Sequence, residues 1–132
     1  MEPVLVDTSV WIDFFNKKQV PQVHQLDDLL LNVKRICICP TIIQEVLQGL
    51  NMGSYYNRIL HNLMMQEILI CEPVTAAVKA AELYNELRKK GVTVRKSNDC
   101  LIAFHAIHFN ARLLERDRDF QLIAQHTSLQ LL

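Results

Sequence analysis

Apolar residues in this chain form short continuous runs, and the longer stretches between the runs repeat apolar positions every three or four residues. Short apolar runs are typical of strands that are buried on both faces of a sheet. The runs predict four strands and a possible last one, at Val4–Val6, Arg35–Cys39, Ile68–Cys71, Arg112–Leu114 and Leu129–Leu132.

The stretches with helical spacing predict helices between these strands. A helix start is indicated at Asp7–Ile12, and further helices are predicted at Gln22–Val33, Pro40–Leu50, Ser54–Glu67, Val74–Lys90, Ser97–Phe109 and Asp117–Gln125. Pro40 in a first turn and Gly91 after a last turn support two boundaries, and one helix should stop before Asn51-Met52-Gly53. Alternating strands and helices indicate parallel β-α units. We therefore expect an α/β fold, with one three-layer α/β/α domain over residues 1–132 and a short central parallel sheet.

Composition and charge narrow the class of protein. The 132 residues are half apolar, which is enough for one domain with a sizeable core. The formal net charge is zero, so a nucleic-acid partner would have to be held by local basic patches. The four cysteines lack C-x-x-C spacing and are expected to be buried free thiols. No leader pattern and no apolar run of ~18 residues is present, so we expect a soluble, cytoplasmic protein.

Four acidic residues fall where such a sheet could bring them together. Asp7 and Asp117 follow predicted strands, Glu45 lies about one turn into a helix, and Asp99 lies in the first turn of another helix. Open parallel sheets form their sites at the carboxyl ends of the strands. Converging carboxylates repel one another unless a cation neutralises them, and Mg²⁺ prefers oxygen ligands. The pattern therefore makes the chain a candidate metal-dependent phosphodiester hydrolase.

Each acid also has a purely structural explanation. An aspartate at a helix start caps free N–H groups, which would account for Asp7, Asp99 and Asp117, and Glu45 could simply be exposed. Asp119 leaves a further choice open, because either it or Asp117 could face the site while the other caps the helix.

Three other acids are predicted to be solvated on exposed helix faces: Asp13, Asp27 and Asp28. Ser9 could support the Asp7 loop or form a local turn. His105 and His108 have no evident third metal ligand and are expected to pack or to form local hydrogen bonds.

Four ordered segments resemble a known family. Val4–Phe15, Pro40–Gly49, Ser97–Ala103 and Leu113–Phe120 together resemble PIN-domain ribonucleases, most closely the VapC toxins of prokaryotic type II toxin–antitoxin systems. The resemblance spans essentially the whole chain. It implies an endoribonuclease that a cognate antitoxin holds inactive, that commonly forms homodimers, and whose active-site groove the antitoxin tail commonly covers.

The resemblance also implies roles for individual residues. Asp7, Glu45, Asp99 and Asp117 would bind Mg²⁺ or Mn²⁺, with Asp119 as a possible contributor and Ser9 as a supporting residue. Asp7 and Asp99 are the expected principal ligands. Glu45 would ligate the metal or orient the attacking water, and Asp117 would act through water or on a second ion.

The chain departs from the family at one position. Glu115 stands where the family often has Thr or Ser, and its carboxylate could alter the metal shell or point away.

An RNA substrate requires cations near its phosphates. Basic residues cluster directly before Asp99 and around Asp117, and we expect them to bind RNA: Arg88, Lys89, Lys90, Arg95, Lys96, Arg116 and Arg118. The alternative for the first group is a cationic helix end followed by a solvated loop.

Rival functions fit less well. A haloacid dehalogenase-type phosphatase needs a second aspartate two residues after Asp7, where this chain has Ser9, and the features of a phosphoacceptor receiver domain are not visible. The alternative that remains is a non-catalytic PIN-like module that binds RNA or a protein partner.

Overall fold

Four short strands form a parallel sheet in residues 2–32, 34–50 and 53–132, which the computed structural model describes. The strands are β1 (Val4–Val6), β2 (Ile36–Ile38), β3 (Glu67–Ile68) and β4 (Arg112–Leu114). Their order across the sheet is β3-β2-β1-β4. Continuous apolar runs form these strands because helices cover both faces of the sheet, and β1 and β2 are buried at every position. The predicted α/β/α fold with a short parallel sheet is confirmed.

In the part of the chain that the structure describes, seven α-helices connect and cover the strands: α1 (Thr8–Phe15), α2 (Pro21–Leu31), α3 (Pro40–Gly49), α4 (Tyr56–Met64), α5 (Pro73–Lys89), α6 (Ser97–His108) and α7 (Arg118–His126). Proline occupies the first turn of α2, α3 and α5, where its missing N–H has no partner to lose. Val33, the predicted end of the second helix, and Asn51 and Met52, predicted to follow the third, lie outside the described residues.

Three predicted elements differ clearly from the observed ones. The strand predicted at Ile68–Cys71 is observed at Glu67–Ile68, so the two share Ile68 alone. The helix predicted at Ser54–Glu67 begins as a 3₁₀ turn at Gly53–Tyr55 and ends at Met64, because Glu67 pairs with Cys37 in the sheet. The possible last strand at Leu129–Leu132 is reduced to one parallel bridge between Leu113 and Leu131.

The core lies between the sheet and the helices. α6 is the most enclosed helix and buries residues on several sides, among them Asp99, Ile102 and His105. The His105 ring Nδ1 lies 2.8 Å from the Leu101 carbonyl oxygen, and burial lowers the pKa of this ring. All four cysteines are free thiols, and three of them are buried. Among the described residues, no helix is long and apolar enough to cross a membrane.

The central strand determines which residues meet at the carboxyl edge of the sheet. β1 pairs with both β2 and β4, and the register joins Val6 to Leu114. The pairing continues one residue further, because the Asp7 N–H donates to the Leu114 carbonyl oxygen at 2.9 Å. Asp7 therefore lies beside the loop that follows β4.

Candidate active site

Asp7 is held at the start of α1 by its own helix. It caps that helix, and its Oδ2 accepts hydrogen bonds from the Ser9 N–H at 3.2 Å and from the Ser9 hydroxyl at 2.6 Å. The side chain is buried, and burial raises its pKa despite these hydrogen bonds, with a smaller contribution from the Glu45 carboxylate. Capping and site formation are thus compatible at this position, because both hydrogen bonds from Ser9 end on Oδ2.

Three aspartates form a close group next to Asp7. One carboxylate oxygen from each of Asp99, Asp117 and Asp119 lies within 4.8 Å of the other two. Asp117 caps α7 by accepting the Asp119 N–H at 3.0 Å, and Asp119 is buried in the first turn of that helix. Of the two acids between which the sequence left a choice open, Asp117 caps the helix, and both Asp117 and Asp119 approach Asp99.

Asp99 is buried next to several other carboxylates. The residue is 4% exposed, and its Oδ2 is buried with no hydrogen-bond partner among the described residues. Burial, and then the negative charges of Asp7 and Asp117, raise the pKa of this carboxyl to about 7. A buried anionic oxygen without a donor is costly unless a cation binds it. The three aspartates, one of which has an oxygen without a hydrogen-bond donor, offer oxygen ligands that suit a hard divalent cation such as Mg²⁺ or Mn²⁺.

The Glu45 carboxylate accepts hydrogen bonds from two residues that are next in sequence to Asp7 and Asp99. Its Oε1 accepts from the Thr8 hydroxyl at 2.7 Å, and its Oε2 accepts from the Asn98 side-chain amide at 3.4 Å. Glu45 therefore lies at the same edge of the sheet as Asp7, although it is outside the group of three aspartates. Sequence reasoning missed Thr8 and Asn98, whose signal was their position directly after Asp7 and directly before Asp99.

Glu115 is turned toward the site. This half-buried side chain accepts the Asp117 N–H through Oε2 at 2.8 Å. Burial, with the nearby charges of Asp7 and Asp117, raises the pKa of the Glu115 carboxyl. Glu115 thus adds negative charge beside Asp117 and stabilises the loop in which Asp117 lies.

The basic residues predicted to bind RNA are all exposed, but they differ in their contacts. Arg95 reaches over the acids, with its Nε 3.3 Å from Asp119 Oδ2 and a terminal nitrogen 3.7 Å from Asp117 Oδ1. Lys90 Nζ donates to the His126 carbonyl oxygen at 3.0 Å, and Arg88 lies 6.0 Å from the centre of the Tyr84 ring.

The prediction that Asp13 is solvated was wrong. Asp13 is buried, pairs with the Arg116 guanidinium, and has Lys18 Nζ 3.5 Å from its Oδ1. The sequence could not indicate this, because the face of α1 that carries Asp13 meets a loop more than a hundred residues later. Asp27 and Asp28 are exposed, as expected.

Comparison with known proteins identifies relatives along the whole chain. The PIN domain family matches residues 4–125. Ribonuclease VapC11 of Mycobacterium tuberculosis is 34% identical over 131 residues, which cover 96% of each chain. A VapC ribonuclease of Mycobacterium bovis has the same identity and coverage.

Solved structures share the fold. A chain of VapBC2 from Rickettsia felis, bound to a DNA fragment from its promoter, has a TM-score of 0.74 at 22% identity and matches 98% of this chain and 97% of its own. A chain of FitAcB from Neisseria gonorrhoeae has a TM-score of 0.71 at 19% identity, over 98% of this chain and 96% of its own.

Proposed function

This chain belongs to the VapC ribonucleases of the PIN-domain family, and from that membership and its acidic site we infer that it is a metal-dependent endoribonuclease. It hydrolyses RNA phosphodiester bonds and acts as the toxin of a type II toxin–antitoxin pair. The observation that carries the metal dependence is the buried, unpartnered Asp99 Oδ2 within a group of carboxylates.

The three grouped aspartates, Asp99, Asp117 and Asp119, would hold Mg²⁺ or Mn²⁺, with Asp7 beside them at the end of β1. When bound, the cation supplies electrostatic stabilisation for the charge that develops on the phosphate and lowers the pKa of water beside it. Asp7 contributes a carboxylate whose orientation is held by Ser9. Glu115 keeps Asp117 in place through its backbone N–H.

Glu45 is the candidate for handling the attacking water. Thr8 and Asn98 hold its two oxygens, so the carboxylate has a defined orientation at the edge of the site. In this role Glu45 accepts a hydrogen bond from the water and orients its oxygen toward the phosphorus. The water oxygen forms the new bond to phosphorus and releases a proton to solvent, while the bond to the leaving ribose oxygen breaks and this oxygen takes up a proton from solvent. The exposed cations of the 88–96 segment bind neighbouring phosphates.

The test is cleavage of a mixed RNA pool by the purified protein in Mg²⁺ or Mn²⁺, with EDTA as the metal-free condition. We expect cleavage that Asp7→Asn and Asp99→Asn abolish while the circular dichroism spectrum stays unchanged. Asp28→Asn, an exposed aspartate on α2, is the matched control and should keep full activity. Full activity in either site variant would refute the assignment. Metal binding by a folded protein that cleaves no RNA would instead favour the alternative of a non-catalytic binding module.

The proposal extends to partners. The VapBC complexes that share the fold support a cognate antitoxin for this chain, and a neighbouring gene for a small DNA-binding protein would support it further.

We also propose a homodimer, because exposed apolar side chains occur at Met65, Ile70, Val74 and Val78 around the edge strand β3. Sedimentation of the purified protein tests the dimer. A toxin that acts on cellular RNA would work in the cytoplasm.

A further inference from the structure

We propose that Asp13 is a positioning residue for the acidic site, because through Arg116 it holds the loop that sets Asp117 against α6. The consequence for metal binding rests on the proposed function. Asp13 lies in the middle of α1 and touches none of the grouped aspartates in the contacts among described residues, so its effect is transmitted through Arg116.

The ion pair is buried on the side of Asp13. The Asp13 side chain is 6% exposed, whereas the Arg116 side chain is 41% exposed. Lys18 Nζ is a second cation, 3.5 Å from Asp13 Oδ1, on a side chain that is 55% exposed. A buried carboxylate loses its hydration and requires a close positive partner, so this pair constrains the position of Arg116 more than a surface pair would.

Arg116 lies between the two acids of the loop. On one side of it Glu115 accepts the Asp117 N–H at 2.8 Å, and Asp117 in turn accepts the Asp119 N–H at 3.0 Å. The position of the Arg116 backbone therefore affects both of these capping contacts. A displacement of this residue would move Asp117 relative to Asp99.

The same pair ties α1 to this segment at a second point. The first point is the hydrogen bond from the Asp7 N–H to the Leu114 carbonyl at the start of the helix. The Asp13–Arg116 pair adds an attachment further along α1. Two attachments define the orientation of the helix as well as its position, and so define how the Asp7 carboxylate faces Asp117.

The pair also directs a positive charge away from the site. With Asp13 present, the Arg116 guanidinium is engaged with α1. Without Asp13, this guanidinium could turn toward Glu115 or Asp117 and compete with a cation for them. Loss of Asp13 should therefore weaken metal binding both through geometry and through charge.

The experiment measures the Mn²⁺ dissociation constant by calorimetry and, separately, the stability to urea in EDTA. We expect Asp13→Asn and Arg116→Gln each to weaken Mn²⁺ binding by about tenfold, as is typical when a side chain that supports metal ligands is lost. The double variant should be no weaker than either single variant, since both remove the same contact. Lys18→Gln is the matched control, because it removes the other cation beside Asp13 and should leave Mn²⁺ binding unchanged.

A merely structural role would lower stability without changing the Mn²⁺ affinity of the folded protein. Folded single variants whose Mn²⁺ dissociation constants stay within about twofold of wild type would overturn the proposal. If Asp13→Asn does not fold, Arg116→Gln decides, because it removes the same contact from the more exposed side of the pair. Weaker Mn²⁺ binding by this variant supports positioning, and unchanged binding refutes it. Wild-type protein that binds no Mn²⁺ would refute the metal site of the proposed function itself.

Discussion

Asp99 has an environment that few carboxylates tolerate without a counter-ion. It is buried in the first turn of α6, one of its oxygens has no donor among the described residues, and two other aspartates approach it. Burial alone would favour the protonated acid, and the charges of Asp7 and Asp117 act in the same direction. In the metal-free protein, the ionised form of Asp99 at high pH is therefore electrostatically unfavourable.

This environment predicts a pH-dependent stability. The folded-state pKa of Asp99 is about 7 and the ordinary value is 3.8, so between these values the folded state binds the proton more tightly. The free energy of unfolding in EDTA should then fall as the pH rises through this window. Asp99→Asn removes the titration, so its stability relative to wild type should increase up to about pH 7 and then level off. Urea unfolding across this pH range measures it, with Asp28→Asn as control. A constant difference between variant and wild type would contradict the prediction.

The position of Arg95 predicts that its guanidinium competes with the metal for Asp117 and Asp119. Its guanidinium lies against Asp119 and Asp117, and its side chain is 71% exposed, so the contact is screened by water. Arg95→Gln should tighten Mn²⁺ binding by about two- to fivefold, the range expected for an exposed ion pair. Lys34→Gln removes one exposed positive charge just before β2, at the opposite edge of the sheet, and should have no effect. Weaker Mn²⁺ binding by Arg95→Gln would show that the arginine supports the site instead.

Residue-level prediction from the sequence placed two acids correctly at one edge of the sheet, because strand ends determine their positions. Asp7 follows β1 directly, Asp117 lies in the loop that follows β4, and β1 and β4 are paired in parallel. The prediction for Asp13 was wrong because the local pattern places this residue on an exposed helix face, whereas its partner Arg116 belongs to a distant loop. The contact between Glu115 and the Asp117 N–H could not be predicted either, because it depends on the loop conformation.

At the level of elements, a predicted segment overlaps each strand and α-helix that the structure describes, but the segment predicted for β3 shares only Ile68 with the observed strand. A second error concerns α4, which was predicted to continue to Glu67 and ends at Met64. Sheet pairing decides that boundary, and spacing within one segment carries no information about a partner strand. The bridge at Leu131 is too short to be distinguished from a strand by hydrophobicity alone.

The end of α5 offers a test of one element. Gly91 has a φ of +80° with open space around its Cα, its N–H donates to the Arg88 carbonyl, and the Val92 N–H donates to the Leu87 carbonyl. Gly91→Ala should destabilise the protein by about 1 kcal/mol through backbone strain, since no steric contact is involved. Gly91→Asn should cost less, because asparagine tolerates this conformation. Thermal unfolding of both variants measures the difference. Equal stability of wild type and the alanine variant would contradict the prediction that alanine is strained at this position.

On the scale of the whole molecule, zero net charge makes local cation patches decisive for RNA binding. Lys89 and Lys96 are exposed, and each is expected to contact a phosphate. Replacing one by Ala should lower the slope of log affinity against log salt by about 0.7, as for single strands. Titration of labelled RNA in Ca²⁺ at several salt concentrations measures the slope, and Lys34→Ala is the control. An unchanged slope in both variants would show that these lysines are only solvated at a helix end and in a loop and do not contact RNA phosphates.

The pairing of β1 with β4 has a consequence for how the protein is made. The ribosome produces β1 and Asp7 before β4, Asp117 and Asp119, with more than a hundred residues between Asp7 and Asp117. A nascent chain that has reached α3 holds Asp7 and Glu45 but none of the grouped aspartates. The proposed metal site is therefore assembled late, and we expect a translating ribosome to carry an inert chain until β4 joins the sheet.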